Sequence, residues 1–178
     1  MFFDRLKNIF FTLCVSKNYA LKKMGVTIGK NCSIAINVQV GSEPYLITIG
    51  DNVQITSGVK IFTHGGGWIL RKFIPDFDSF GKVKIGNNVY IGNNALIMPG
   101  VIIEDNVLIG AGSVVTKSIP SGYIVAGNPA KIVGDIESYA KRSERHNFKT
   151  KGLHDKEKKH IIMNSDESLF IVKKYLEK

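Results

Sequence analysis

Cysteine is scarce in this chain and long hydrophobic runs are missing. The two cysteines, Cys14 and Cys32, are too few for a disulfide framework and lack the spacing of a metal motif. The longest uncharged apolar run, Ile9 to Val15 with Thr12 inside it, has seven residues, whereas a membrane-spanning helix needs about 20. That run is also a poor secretory signal. Asp4 sits in the would-be basic segment, and Ser16-Lys17-Asn18 is a poor cleavage site. A cytoplasmic, reduced protein is expected. With 44% hydrophobic and 22% charged residues, the 178-residue chain has the composition of one globular domain and not of a disordered one.

Acidic residues are outnumbered by basic ones, giving a net charge of +9. The excess sits at the ends: five bases against one acid in residues 1–24, seven against six in 25–130, and twelve against eight in 131–178. A uniform nucleic-acid-binding face is therefore not indicated. Terminal positive charge suits an anionic cofactor, an anionic glycolipid or a membrane surface, or it merely solvates terminal helices.

What the chain has in place of long runs is a period of six. From Ile85 it reads IGNNVY, IGNNAL, IMPGVI, IEDNVL, IGAGSV, VTKSIP. The same frame gives IGDNVQ, ITSGVK, IFTHGG from Ile49, and IGKNCS, IAINVQ, VGSEPY from Ile28. The twelve leading residues are Ile28, Ile34, Val40, Ile49, Ile55, Ile61, Ile85, Ile91, Ile97, Ile103, Ile109 and Val115. With 38 Ile and Val in the chain, twelve of twelve by chance is on the order of 10⁻⁸ before choice of frame is counted, so the repeat is real. The fifth residue is mostly small or β-branched, as in Val53, Ala95 and Ser113.

Six residues make a short strand and a bend, and three such units close a triangular coil of 18. Leading and fifth residues point inward, and coils stack about 4.8 Å apart through strand hydrogen bonds. Glycine and the Asn-Asn or Asp-Asn pairs supply bends with positive φ. The frame breaks at residues 46–48, a three-residue insertion, and at 67–84, a loop thrown out from the coil. Outward apolar residues such as Tyr90, Leu96 and Leu108 suggest one flat face suited to a partner.

The ends read as helical. Phe2, Leu6, Ile9, Phe10 and Leu13 follow 3, 4 spacing, so residues 1–24 form an amphipathic helix that caps the first coil or touches a membrane. Asn164 with Glu167 resembles a capping box before a helix from Leu169 to Leu176, within a basic extension, residues 135–178.

The hexads, with IGAGSVVTKSIP and AGNPAKIV after them (residues 109–133), resemble the hexapeptide-repeat acyltransferases. The likeness covers residues 25–134. It implies an all-β solenoid, a left-handed parallel β-helix, and acetyl-CoA as acyl donor without a metal. The stretch ITSGVKIFTHGGGWILRKF is most similar to galactoside and maltose O-acetyltransferases and to small enzymes that decorate bacterial capsule, exopolysaccharide or lipopolysaccharide. In that last group the histidine is commonly followed by Asp-Gly-Gly; here it is followed by Gly65-Gly66-Gly67. The usual Asn below the active histidine has no secure equivalent, and Asn37 is out of register.

Acetyl transfer to an alcohol needs a base for the hydroxyl proton, and an imidazole suits that task. Of His64, His146, His154 and His160, only His64 lies in the coils, facing outward as the fourth residue of its hexad. Glu43 precedes it by 21 residues, one coil plus the insertion, and so can orient the imidazole, bind an acceptor hydroxyl or serve as a turn residue. Trp68 could stack on a sugar face and Arg71 could meet an acceptor carboxylate or phosphate; alternatively Trp68 packs the loop onto the coil. The resemblance further implies that Asn93 and Ala111, 18 residues apart, meet the pantetheine arm. The Asn93 N–H is then a candidate for stabilising the thioester oxyanion, and Thr116, Lys117 and Lys131 bind CoA. It implies a homotrimer, with CoA between neighbouring helices.

The expected activity is an acetyl-CoA-dependent O-acetyltransferase acting on a sugar hydroxyl of a surface polysaccharide or its precursor, in the cytoplasm and peripherally at the inner face of the membrane. A streptogramin- or chloramphenicol-type acetyltransferase, an amino-sugar N-acetyltransferase and a silent β-helix scaffold remain the alternatives. A zinc carbonic anhydrase of the same fold needs three histidines at its metal, and the coils carry one.

Overall fold

A computed structural model describes residues 17–175 of the chain. The hexads become twelve short strands, and with two more after them the described residues form three sheets. The first sheet holds β1 (Thr27–Ile28), β4 (Ile47–Ile49), β7 (Val83–Ile85) and β10 (Ile102–Ile103). The second holds β2 (Ser33–Ile34), β5 (Gln54–Ile55), β8 (Tyr90–Ile91), β11 (Leu108–Ile109), β13 (Tyr123–Ala126) and β14 (Lys131–Asp135). The third holds β3 (Gln39–Val40), β6 (Lys60–Ile61), β9 (Leu96–Ile97) and β12 (Val114–Val115). The chain visits the three sheets in turn and adds one parallel strand to each. Only β14, which turns back on β13, is antiparallel.

The register stacks the leading residues in columns. Ile28, Ile49, Ile85 and Ile103 are successive partners in the first sheet. Ile55, Ile91 and Ile109 follow one another in the second, and Val40, Ile61, Ile97 and Val115 in the third. These columns, apart from the half-buried Val40, and the fifth residues Val38, Val53, Val59, Val89, Ala95, Val101 and Val107 form the buried core. Burying one such aliphatic side chain stabilises by about 1.5–3 kcal/mol, so strands of two residues suffice. The bends follow the expected chemistry: Asn31, Asn52, Asn88, Asn94 and Asn106 all have positive φ.

Four details differ from the sequence reading. The three extra residues are absorbed by a 3-10 turn at Pro44–Leu46, while Ile47–Ile49 already form β4. The excursion ends before Val83, because Val83 and Lys84 are strand residues paired with Ile47 and Thr48. Its first turn is a short helix, α2 (Gly67–Leu70). Tyr90, Leu96 and Leu108 do not share a face. Tyr90 and Leu108 are partners on the second sheet, and Leu96 faces Val114 on the third. Six residues advance the chain by one sheet, so only positions 18 apart can share a face. Finally, the expected helix from Leu169 is absent among the described residues. Asn164 instead terminates an earlier helix, and the Asp166 carboxylate accepts the Ser168 N–H at 2.8 Å to cap a single 3-10 turn, Glu167–Leu169.

The first helix described, α1 (Lys17–Lys23), packs on β1 and β2 and buries Leu21 in the core. Phe2, Leu6, Ile9, Phe10 and Leu13, the other residues of the expected amphipathic helix, lie outside the described residues. Residues 137–178 form a second unit. It follows the start of α3 (Ile136–Ser143) and contains α4 (Asp155–Met163), with Phe148 edge-on to Phe170 at 5.0 Å and His146 Nδ1 2.9 Å from the Leu169 carbonyl. His154 and His160 are exposed. Among the described residues, no helix is long and apolar enough to cross a membrane.

A ladder of polar turns runs along one corner of the coils. Asp51 N–H donates to Asn87 Oδ1 at 2.8 Å, and Asn87 N–H donates to Asp105 Oδ1 at 2.7 Å. The Asn87 backbone and side-chain donors hold the Asp105 carboxyl below its ordinary value, against partial burial and with help from Lys84. A carboxyl depressed in the fold stabilises fully above its unfolded value, near pH 4, and loses that contribution as the pH falls through the native value. Asp105→Asn keeps an acceptor but cannot titrate. Its thermal midpoint is therefore expected to fall less steeply than that of the wild type on acidification below about pH 4.

Candidate active site

His64 lies at the bend that leaves β6. Thr63, one residue earlier, turns inward and is fully buried, whereas the His64 side chain is 41% exposed. The three glycines that follow let the chain leave the coil, with Gly66 at φ 74° opening α2. One coil earlier, Glu43, the fourth residue of its hexad, immediately precedes the 3-10 turn. The pairing of Val40 with Ile61 carries Glu43 beside His64, as the 21-residue spacing predicts.

The contact is a short hydrogen bond. Glu43 Oε2 is 2.6 Å from His64 Nδ1 and also accepts the Thr63 hydroxyl at 2.8 Å. Burial opposes ionisation of the Glu43 carboxyl. Hydrogen bonds from Thr63, Ser42 and His64, with the imidazole's charge, outweigh it and hold the carboxyl below the usual glutamate value. An ionised carboxylate only accepts, so Nδ1 carries the proton. In the neutral ring, Nε2 is left as the acceptor, which is the arrangement a general base needs.

The excursion loop completes this corner. It returns through a bridge between His64 and Phe80, and the Gly81 N–H donates to the Thr63 carbonyl at 2.7 Å. The Phe80 ring is tilted beside the imidazole, 6.1 Å away between centroids. Neither Thr63 nor Phe80 stands out in the sequence. Thr63 is the third residue of its hexad, not one of the inward first or fifth, so the period gives no signal for its burial; nothing in the loop's aperiodic sequence marks Phe80.

The other expected site residues are spread more widely. Trp68 does not pack the loop onto the coil; it is 86% exposed on α2. The Arg71 Nε donates to the Phe77 carbonyl at 3.1 Å and a terminal nitrogen lies 3.9 Å from Asp78, so this side chain ties the loop to itself. Asn93 and Ala111 are exposed and stack at a different corner, between the second and third sheets, where Gly112 N–H donates to the Asn93 carbonyl at 2.7 Å. Thr116 and Lys117 follow β12 and are exposed at the His64 corner, two strands along the third sheet. Lys131 opens β14 and is exposed. Near it, Val115, Lys117, Pro120, Val125, Ala130 and Ile132 are among the lining residues of a cavity of about 160 Å³. Asn37 is not part of the His64 corner. Its side chain donates to Ser57 Oγ at 2.8 Å and accepts from Gly58 N–H. Among the described residues no cluster of His, Cys, Asp and Glu could hold a metal ion.

With this geometry in place, comparison with known proteins is decisive. Residues 82–117 match the model of the bacterial transferase hexapeptide family (six repeats). Protein CapG of Staphylococcus aureus is 46% identical over 147 residues, covering 81% of this chain and 86% of that one. The chain belongs to the hexapeptide-repeat acetyltransferases. Galactoside O-acetyltransferase of Escherichia coli is 36% identical over 72% of this chain and 71% of its own. Among solved structures, a galactoside acetyltransferase in complex with coenzyme A matches with a TM-score of 0.59 and 39% identity, over 66% of this chain and 58% of that one. A hexapeptide-repeat acetyltransferase of Vibrio cholerae complexed with acetyl-CoA matches at 0.56 and 28%, over 62% of this chain and 60% of its own. The chain thus spans somewhat over half the length of these two solved relatives.

Proposed function

We propose that this protein transfers acetyl from acetyl-CoA to a hydroxyl of a sugar, with a bacterial surface polysaccharide or its precursor as acceptor. The observation that carries the reading is the exposed His64 imidazole, held through Nδ1 by the half-buried Glu43 carboxylate. Relatives named for galactoside acetylation and for coenzyme A complexes support the chemistry. Residues 55–73, by their likeness to surface-polysaccharide enzymes, favour that branch. The coils, on this reading, wind left-handed as a β-helix domain at residues 25–134. The enzyme works in the cytoplasm, where acetyl-CoA is made, close to the inner membrane surface.

In the reaction, the acceptor oxygen attacks the thioester carbonyl while His64 Nε2 takes its proton. The tetrahedral intermediate then collapses, breaking the C–S bond, and the imidazolium returns the proton to the departing CoA thiolate. Glu43 holds the ring and balances its transient charge. The Asn93 N–H is assigned to the oxyanion, the Ala111 backbone to the pantetheine arm, and Thr116, Lys117 and Lys131 to the rest of CoA. Phe80, beside the imidazole, and Trp68 offer aromatic faces to a sugar, and the free edge of Arg71 meets any acidic group on it. Asn93 and Ala111 occupy a different corner from His64, which favours a homotrimer in which neighbours share each site.

The test is thiol release from acetyl-CoA with galactosides, N-acetylated sugars, capsular oligosaccharides, chloramphenicol and a streptogramin. Release that depends on a sugar hydroxyl supports the reading. Turnover with an antibiotic alone moves the protein to xenobiotic acetylation, and acetylation of an amino sugar's nitrogen moves it to that class. Failure to bind acetyl-CoA would revive the scaffold. In the same assay, Glu43→Gln, which keeps an acceptor but removes the charge, is expected to lower kcat by about 10- to 100-fold with little change in KM.

A further inference from the structure

We propose that Thr63 is a positioning residue: its buried hydroxyl clamps the Glu43 carboxylate and thereby fixes the tautomer of His64. The inference rests on the reading of His64 as base and adds a third member to its hydrogen-bonded chain.

Thr63 is one of two fully buried polar side chains among the described residues, the other being Ser113. A buried hydroxyl must find a partner or destabilise the fold. Ser113 uses a backbone carbonyl in its own bend, that of Gly110 at 2.7 Å. Thr63 instead spends its hydrogen on Glu43 Oε2 at 2.8 Å, the same oxygen that meets His64 Nδ1 at 2.6 Å. Without the hydroxyl the carboxylate would have one donor fewer and could turn away from Nδ1.

The chain makes room for this hydroxyl. A Cβ on Gly41 would lie 2.8 Å from Thr63 Oγ1 and 3.9 Å from Glu43 Oε2. The backbone behind it is fixed from the other side, since Gly81 donates to the Thr63 carbonyl at 2.7 Å. The hydroxyl is therefore held in place, and its one acceptor is the carboxylate that orients the base.

The test compares Thr63→Ser with Thr63→Ala in the full chain. Both lose the same methyl group, so only the hydroxyl separates them. The primary readout is the imidazole nitrogen NMR spectrum near neutral pH, with His64 signals assigned by their loss in His64→Ala. Wild type and Thr63→Ser are expected to show the Nδ1–H tautomer, and Thr63→Ala a mixture. With acetyl-CoA and methyl β-galactoside as probes, Thr63→Ala is expected to lose about tenfold in kcat at little cost in KM, and Thr63→Ser to retain most of it. An unchanged His64 tautomer in Thr63→Ala overturns the clamp, even if His64→Ala is inactive and the base assignment stands. Equal loss of tautomer in both variants also overturns it, because the methyl would then be what matters. Turnover by His64→Ala would instead remove the base assignment, while the spectra still decide whether Thr63 orders the ring.

Discussion

Acetyl transfer by His64→Ala is expected to fall by about 10²- to 10⁴-fold in kcat, the range that a positioned general base contributes. Three structural points set this expectation. The imidazole is the one histidine ring in the coils, its Nδ1 is committed to Glu43, and its outer face is open. The side chain lies outside the buried core, so the thermal midpoint is expected to move little. Acetyl-CoA binding is also expected to survive, because the residues assigned to CoA, Asn93, Ala111, Thr116, Lys117 and Lys131, are all unchanged in this variant. Thiol release, a thermal-shift titration with acetyl-CoA and the unfolding midpoint together check the prediction. Retained binding with lost turnover separates loss of the base from loss of the fold. Wild-type turnover in the variant would leave the fold and family standing without the mechanism.

The Glu43–His64 pair was accessible from arithmetic. Inward aliphatic residues every six positions fix which residues stack, and 18 plus an insertion of three equals the 21 that separates the two. The arithmetic worked although the insertion sits at Pro44–Leu46 and not at 46–48, because the count between Val40 and Ile61 is the same either way. Where the period stops, so does the legibility. The loop that carries Trp68 and Phe80 has no hexad, so its point of return beside His64 follows from no count. The misplacement of Leu96 beside Tyr90 and Leu108 came from reading outward apolar residues without assigning each to its sheet. At the C-terminal end, α3 and α4 bury no side chain in a core, and five of the nine residues of α4 are charged. With no hexad and no buried stripe they follow from no count, while the capping-box reading of Asn164 and Glu167 placed a helix where residues 171–175 are in neither helix nor strand.

A pair of glycine substitutions should separate the architecture of this corner from its chemistry. Gly81 lies where the excursion loop rejoins the coil, and a Cβ there would sit 2.2 Å from the Gly100 nitrogen and 2.7 Å from the Pro99 carbonyl carbon. Both are backbone atoms of the next bend, so no side chain can rotate away to admit it. Gly81→Ala must then push the returning strand off the stack. Overpacking of this kind costs about 1–3 kcal/mol. The shift would also stretch the Gly81–Thr63 hydrogen bond and move Phe80 from the imidazole. A displacement of about 1 Å at a reacting group can lower turnover by about 10²-fold, so activity is expected to fall further than stability alone explains. Gly65→Ala is the control. It adjoins His64 in sequence, but its Cβ would meet nothing within 4 Å, and its stability is expected to change by less than about 0.5 kcal/mol. Chemical denaturation and thiol release of the two variants check the contrast. If Gly81→Ala were as stable and active as Gly65→Ala, the close seating of the loop on the Pro99–Gly100 bend would not be what holds the His64 corner together.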